Sequence, residues 1–291
     1  MPEQAAQAMS RMRADFHTHT TASDGMLSPA ELVSLASERG ISHLAITDHD
    51  TVGALNEAGR TAVEYGITFV PGIEFNTSVA EGELHLLGYG IDAKTPALVD
   101  RLQRLRSSRR VRAERMIEKL AALGIEIDAE ELFDTVGEDS IGRPHIARKL
   151  IDAGAVDSVQ EAFDRYLGSG RPAHARRESI TPEGAIELVR ASGGIPVLAH
   201  PFSLPDFEAW LDTLIERGLS GIEVYYGEYD EPRRKYLADL AAHRGLIATG
   251  GSDYHGPDFR EGRDLGSVDI PETVVERFLE ALADTRGFKQ L

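Results

Sequence analysis

The sequence contains no cysteine. That absence excludes disulfides, thiol nucleophiles and thiolate metal sites, so any bound ion must be held by imidazole, carboxylate and water, which favours Mn, Mg, Fe or Zn. Long apolar runs are missing too. Nothing approaches the roughly 18 residues of a membrane span, and the opening MPEQAAQAMSRMR has no apolar export core, so a cytoplasmic protein is expected. Basic residues are few beside acidic ones, 31 against 48, and the formal net charge of -17 argues against a nucleic-acid coat protein. No repeat or low-complexity segment occurs. What is present, 291 residues with 42% hydrophobic content, can bury a large core as one α/β domain or as a domain carrying a smaller one.

The charge is unevenly spread. Residues 96–178 hold 15 basic and 15 acidic residues, so the rest of the chain carries the whole deficit. An acidic body with a locally basic insertion suits a protein that binds cations in one part and anions in another. Short β-like runs recur at DFHTH (15–19), HLAITDH (43–49), TFVPGIEF (68–75), ELHLLGYG (83–90), IPVLAH (195–200), GIEVYY (221–226) and LIATGGSD (246–253). Most are followed by turn residues and a helical stretch, which predicts a mainly parallel sheet or barrel. Ser28-Pro29-Ala30-Glu31 reads as a capping box with proline at the first helical position, and Thr181-Pro182 repeats the first features. Between 96 and 178 the pattern is helical throughout, with N-caps expected at Asp128 and Ser158.

The polar residues of these strands cluster at their C-terminal ends: His17 and His19, Asp48 and His49, Glu74, His200, then Asp253 and His255. His85 stands apart, mid-run in ELHLLGYG. In a strand, residues i and i+2 share a face, so Asp15, His17 and His19 form one polar row that a core tolerates only if something satisfies it. In parallel barrels the C-terminal face is where sites are built. Six of the ten histidines belong to this set, two more (His145 and His174) fall in the insertion, and only His43 and His243 look incidental. With Asp24, Glu74 and Asp253 they give nitrogen and oxygen ligands enough for a cluster of two or three ions once water completes the shells.

The ordered motifs HTHTTASDG, TDHD, GIEF, HLLGYGI, LAHP and GSDYH, spanning residues 15 to 255, resemble the PHP (polymerase and histidinol phosphatase) family of metal-dependent phosphoesterases. The resemblance implies an α/β fold, a distorted seven-stranded β/α barrel with a helical insertion: barrel residues 13–95, a substrate cap at 96–178, and barrel residues 179–285. It implies two or three divalent metals, Mn foremost, with Zn, Mg or Fe as alternatives. His17, His19, Glu74 and Asp253 would hold the first; Glu74 would bridge to a second held also by His85 and His200; Asp24, His49 and His255 would hold the third. Asp24 stands where some relatives have histidine, which makes that site harder. Glu74, Asp253 and His200 are the expected catalytic residues.

The insertion, with GRPHIARKLIDAGAV (142–156), resembles the PHP subgroup acting on nucleoside 3',5'-bisphosphates and trimming oligonucleotides from the 5' end. The expected partners are therefore a nucleotide or short oligonucleotide, with no membrane and no stable protein partner. Histidinol-phosphate phosphatase is the runner-up. A catalytically silent metal-stabilised scaffold and an amidohydrolase are further alternatives; the complete ligand set counts against the first, and the lack of a bridging lysine at a strand end against the second.

Two metals bridged by Glu74 would acidify a shared water and relieve phosphoryl charge, so no side-chain nucleophile is required. Asp15 and Asp48 are read either as groups that orient imidazoles or as ordinary strand-end hydrogen-bond acceptors. Arg143, before Pro144 at a helix start, is expected to grip an anion together with the free N–H groups there. Arg171, Arg176 and Arg177 lie where the chain re-enters the barrel, and Arg177 is the candidate among them. Along the helix after Pro96, Leu98, Leu102, Leu105, Met116, Leu120 and Leu123 form an apolar stripe that Arg109 and Arg112 interrupt. Either those arginines snorkel to solvent, or they meet the substrate's second phosphate.

Overall fold

The computed structural model describes residues 12–79, 83–136, 141–175, 179–257 and 259–289. Its centre is a seven-stranded mixed sheet in sequential order. The strands are β1 (Ala14–Asp15), β2 (His43–Ile46), β3 (Thr68–Ser78), β4 (Glu83–Tyr89), β5 (Ile195–Leu198), β6 (Gly221–Tyr226) and β7 (Ile247–Gly251). β1, β2 and β3 pair in parallel, as do β5, β6 and β7, while β4 runs antiparallel to both of its neighbours. The first and last strands nearly close the barrel: the Phe16 N–H donates to the Gly250 carbonyl at 3.2 Å, and Thr18 bridges to Tyr254 in parallel.

The reversal of β4 explains why His85 stands mid-run in the sequence. In a strand pointing the other way, the early residues lie beside the late residues of β3. Asn76 pairs with His85 and Glu74 with Leu87, which makes His85 the diagonal same-face neighbour of Glu74.

Helices α1 (Pro29–Glu38) and α2 (Leu55–Tyr65) follow β1 and β2. The Ser28 side chain accepts from the Glu31 N–H while Glu31 reaches back to the Ser28 N–H, the reciprocal cap its sequence predicts. The helices α3 (Pro96–Ala122), α4 (Ala129–Val136), α5 (Arg143–Asp152) and α6 (Val159–Ala162) precede a π-helical turn at Phe163–Leu167. Asp128 and Ser158 cap α4 and α6 as expected. Next come α7 (Pro182–Ala191), capped by Thr181, α8 (Phe207–Glu216), α9 (Glu231–Arg244), α10 (Glu272–Leu282) and α11 (Arg286–Lys289). None of the described helices is long and apolar enough to cross a membrane.

The chain divides into two compact units, Met1–Leu98 with Ile180–Leu291, and Val99–Ser179. In the first, Phe16, Val70, Leu87, Tyr89 and Val197 pack with Phe278 of α10, and the buried Tyr89 hydroxyl donates to the Phe16 carbonyl at 2.8 Å. The helical unit has a core of its own from Met116, Leu120, Leu132, Ile146 and Leu150, each side chain contributing roughly 1.5–3 kcal/mol relative to exposure. The α3 stripe differs at its end from the spacing read in sequence. Ala113 and Ile117 join Met116 and Leu120 in the core, whereas Leu123 is 49% exposed, because the helix ends at Ala122 and the chain turns there.

Candidate metal centre

Glu74 sits at the meeting point of the strand-end imidazoles. Its Oε2 lies 3.1 Å from His17 Nε2, 3.2 Å from His19 Nε2 and 3.2 Å from His49 Nδ1. Its Oε1 lies 2.8 Å from His85 Nδ1 and 3.1 Å from His200 Nε2. Asp253 Oδ1 stands 3.1 Å from His19 Nε2, 3.4 Å from His17 Nε2 and 3.5 Å from His255 Nδ1. Asp24 supplies the outer carboxylate, 3.4 Å from His255 Nε2 and 3.9 Å from His49 Nε2.

These atoms fall into three overlapping groups, each within 4.8 Å: His17, His19, Glu74 and Asp253; His49, Glu74 and His85; and His19, Asp24, His49 and His255. His49 thus faces both Glu74 and Asp24, where the resemblance assigned it to the third set alone. His200 reaches the centre through Glu74.

The side chains fit divalent cations. His19 is fully buried, and neither of its ring nitrogens makes a hydrogen bond, although Nε2 is 3.2 Å from Glu74 and 3.1 Å from Asp253. Lone pairs therefore converge on shared space without donor alignment, as they do around a cation. A donor set of imidazole and carboxylate suits such an ion.

Electrostatics point the same way. Burial works against ionised Glu74, yet His49, His17 and His85 outweigh it and hold the carboxyl well below its ordinary range. Asp253 is likewise held low against burial, by His17 and His255. His49 is pushed down to about 4 by burial, so its imidazole is neutral and available as a ligand at neutral pH.

Three carboxylates support this centre in different ways. Asp48 accepts from the Thr20 N–H at 2.7 Å, the Thr20 hydroxyl at 2.7 Å and the Ser23 hydroxyl at 2.6 Å, which fixes the loop between His19 and Asp24. Asp15 accepts from the Ser252 N–H at 2.9 Å, its hydroxyl at 2.6 Å and the Gly266 N–H at 2.8 Å, and so anchors the segment before Asp253. Of the two readings of these aspartates, strand-end hydrogen bonding is the one observed. The carboxylate that does orient an imidazole is Glu223, whose Oε1 is 2.9 Å from His17 Nδ1. Its Oε2 accepts the His200 N–H at 2.7 Å, holding a residue whose φ of 23° is rare for a side chain with Cβ. Sequence reasoning missed Glu223. Its signal was an acid inside the apolar strand GIEVYY, the same Gly-Ile-Glu order that marks Glu74.

A cavity of about 400 Å³ opens on Glu74, His200 and Asp253, walled by Phe202, Tyr226 and Tyr229 and by Arg233, Arg260 and Arg263. Arg263 and Tyr226 both hold Asp253 Oδ2, at 2.6 Å and 2.9 Å, which turns Oδ1 toward the imidazoles. Glu228 pairs with Arg263 at 2.7 Å and with Arg260 at 2.9 Å. These barrel arginines lie outside the basic insertion, in a stretch where acidic neighbours cancel their charge; REGR just after GSDYH is the cue the sequence offers for them.

Of the insertion arginines, Arg176, Arg177 and the side chain of Arg109 lie outside the described residues. The Arg112 Nε donates to the Ala175 carbonyl at 3.0 Å, and the Arg143 guanidinium lies 5.3 Å from the Phe163 ring centroid. Arg112 and Arg143 border one small hollow beside Gly142, at the start of α5. The Gly142 N–H is already taken by His145 Nδ1 at 3.0 Å, so that amide is not open to an anion.

Residues 15–167 match the PHP domain family. The chain is 36% identical over 267 residues to a 3',5'-nucleoside bisphosphate phosphatase of Chromobacterium violaceum, covering 88% of this chain and 92% of that protein. It is 34% identical over 277 residues to a 5'-3' exoribonuclease of Haemophilus influenzae, covering 91% and 98%. A solved structure from Chromobacterium violaceum, described as an amidohydrolase with bound sulfate and no metal, superposes with a TM-score of 0.82 at 33% identity, covering 93% and 96%.

Proposed function

Because the chain belongs to the PHP family of metal-dependent phosphoesterases, we propose that it hydrolyses the 3'-phosphate of nucleoside 3',5'-bisphosphates to nucleoside 5'-monophosphate and phosphate, and also trims short oligonucleotides from the 5' end. The observation that carries this reading is the convergence of His17, His19, His49, His85 and His200 on the Glu74 carboxylate beside a cavity lined with arginine. The similarity to a bisphosphate phosphatase and an exoribonuclease over most of the chain supports the nucleotide class.

His17, His19, Asp24, His49, Glu74, His85, His200, Asp253 and His255 would hold two or three divalent ions, Mn first among the candidates. Such ions, when bound, supply Lewis acidity to the phosphoryl group and acidify water at neutral pH. The chain's own part is positional. Glu74 shares its two oxygens between neighbouring sites, Glu223 fixes the His17 ring, and Arg263 and Tyr226 aim Asp253. Arg233 and Arg260 bring positive charge to the cavity, where a substrate carrying two phosphates needs it.

A phosphate-release screen with Mn, Mg and Zn tests the reading. Its substrates are a nucleoside 3',5'-bisphosphate, nucleotide monophosphates, short 5'-phosphorylated RNA and histidinol phosphate. Preferred turnover of the bisphosphate is expected. Faster turnover of histidinol phosphate than of every nucleotide would overturn it.

A further inference from the structure

Phe202 is placed unusually for an apolar side chain. It follows His200 by two residues, lines the cavity at the metal centre, and yet remains 38% exposed. It also borders a second hollow of about 500 Å³ together with Leu204, Pro205 and Phe207, so the ring stands as a partition between two open spaces. Edge-on contacts hold it there. Phe207 and Tyr229 each meet it at 5.3 Å between ring centroids, at interplanar angles of 83° and 77°. The Phe202 N–H donates to the Tyr229 hydroxyl at 3.0 Å, which fixes the backbone as well. The guanidinium of Arg233, an exposed side chain on α9, lies 5.7 Å from the centre of the ring.

Metal ligands and arginines suffice to bind a bare phosphate. A rigid aromatic ring with a solvent-facing surface adds nothing to phosphate binding, but it is what a planar, uncharged heterocycle requires. Unpaired bases are recognised by stacking on aromatic rings and on guanidinium planes, and a ring already held in place loses little entropy on binding. We propose that Phe202 and Arg233 form the base-recognition clamp of this enzyme, the exposed Arg233 guanidinium swinging outward from the ring to admit the nucleobase between them while the ester phosphate lies at the divalent ions that Glu74 and Asp253 would hold. The clamp makes the enzyme select nucleotides over base-free sugar phosphates and tolerate any base, since stacking reads no hydrogen-bond pattern. This inference rests on the nucleotide reading above.

The test is calorimetric titration of the metal-loaded enzyme with adenosine 5'-monophosphate and with ribose 5-phosphate, which share the sugar phosphate and carry a base or a hydroxyl at the anomeric carbon. Wild-type protein is expected to bind the nucleotide about tenfold tighter or more. Phe202→Leu, which keeps apolar contact with Phe207 and Tyr229 but lacks a stacking face, should lose most of that preference, and Phe202→Trp should retain it. Arg233→Ala should lower the same ratio. The clamp is refuted if the wild-type protein binds both ligands equally, or if Phe202→Leu keeps the preference or weakens both ligands alike. The nucleotide reading fails on a different result, the absence of nucleotide turnover in the phosphate-release screen.

Discussion

Glu223 Oε1 lies 2.9 Å from His17 Nδ1, and both side chains are fully buried. The contact leaves His17 Nε2 directed at Glu74 and Asp253, so the tautomer that would offer a lone pair to a bound ion is set by a residue outside the three groups of candidate ligands. Glu223→Gln keeps the shape and halves the acceptor capacity. We expect metal affinity to fall about 10- to 100-fold with little change in the thermal midpoint of the metal-free protein. Competition with a fluorescent chelator measures the first, and an unaltered affinity would show that His17 needs no such support.

Glu74→Gln should be the most damaging amide substitution in the centre, because one carboxylate serves groups on both of its oxygens. Metal analysis of protein prepared without chelator should find more than one equivalent in the wild type and a loss in Glu74→Gln exceeding that in Asp24→Asn. If Asp24→Asn loses more metal, Glu74 does not bridge.

The metal-free protein should have an alkaline limit to its stability. Asp253 and Glu74 overcome burial and raise His19 from 6.5 to about 10. A raised histidine stabilises the fold fully below its unfolded value and loses that contribution as pH rises through the folded one. Chelator-treated protein is therefore expected to show a midpoint that falls between pH 6.5 and 10. Glu74 and Asp253, held low, contribute in the opposite sense, and their share is lost in acid. Bound ions require deprotonated imidazoles, so saturating metal should remove the alkaline limb. A flat alkaline profile without metal would contradict the assignment.

In the helical unit, Arg112→Ala should lower the thermal midpoint, because the Arg112 Nε donates to the Ala175 carbonyl at 3.0 Å and so ties α3 to the end of the unit. Arg104→Ala, on the exposed side of α3, should leave the midpoint unchanged. Equal midpoints for both variants would show that the Arg112 bond carries no weight in the packing of the unit.

Much of this architecture is written locally. Alternating runs marked the strands, and Ser28, Asp128, Ser158 and Thr181 marked helix starts, because capping depends on residues three or four apart. The ligands were legible because imidazole and carboxylate at successive strand ends have few other uses. Glu223 was not, since an acid within a buried strand acquires meaning only from what stands beside it, and His17 is its partner from the far end of the chain. Nor was the reversal of β4, because residue alternation is the same in both directions. Leu123 followed the right spacing past the point where its helix stopped.

The near-closure of β1 on β7 gives the ions a further role, in folding rather than chemistry. Glu74 and His85 meet across a hairpin, a pairing that a short stretch of chain can reach early. His17 and His19 meet Asp253 only when the beginning and the end of the barrel sequence have come together. A cation held among those three side chains cross-links the two ends, so its loss should lower the barrier to opening at that seam and speed unfolding. In a chain without cysteine, the metal centre is the fold's detachable staple, fastened across the longest loop the barrel contains.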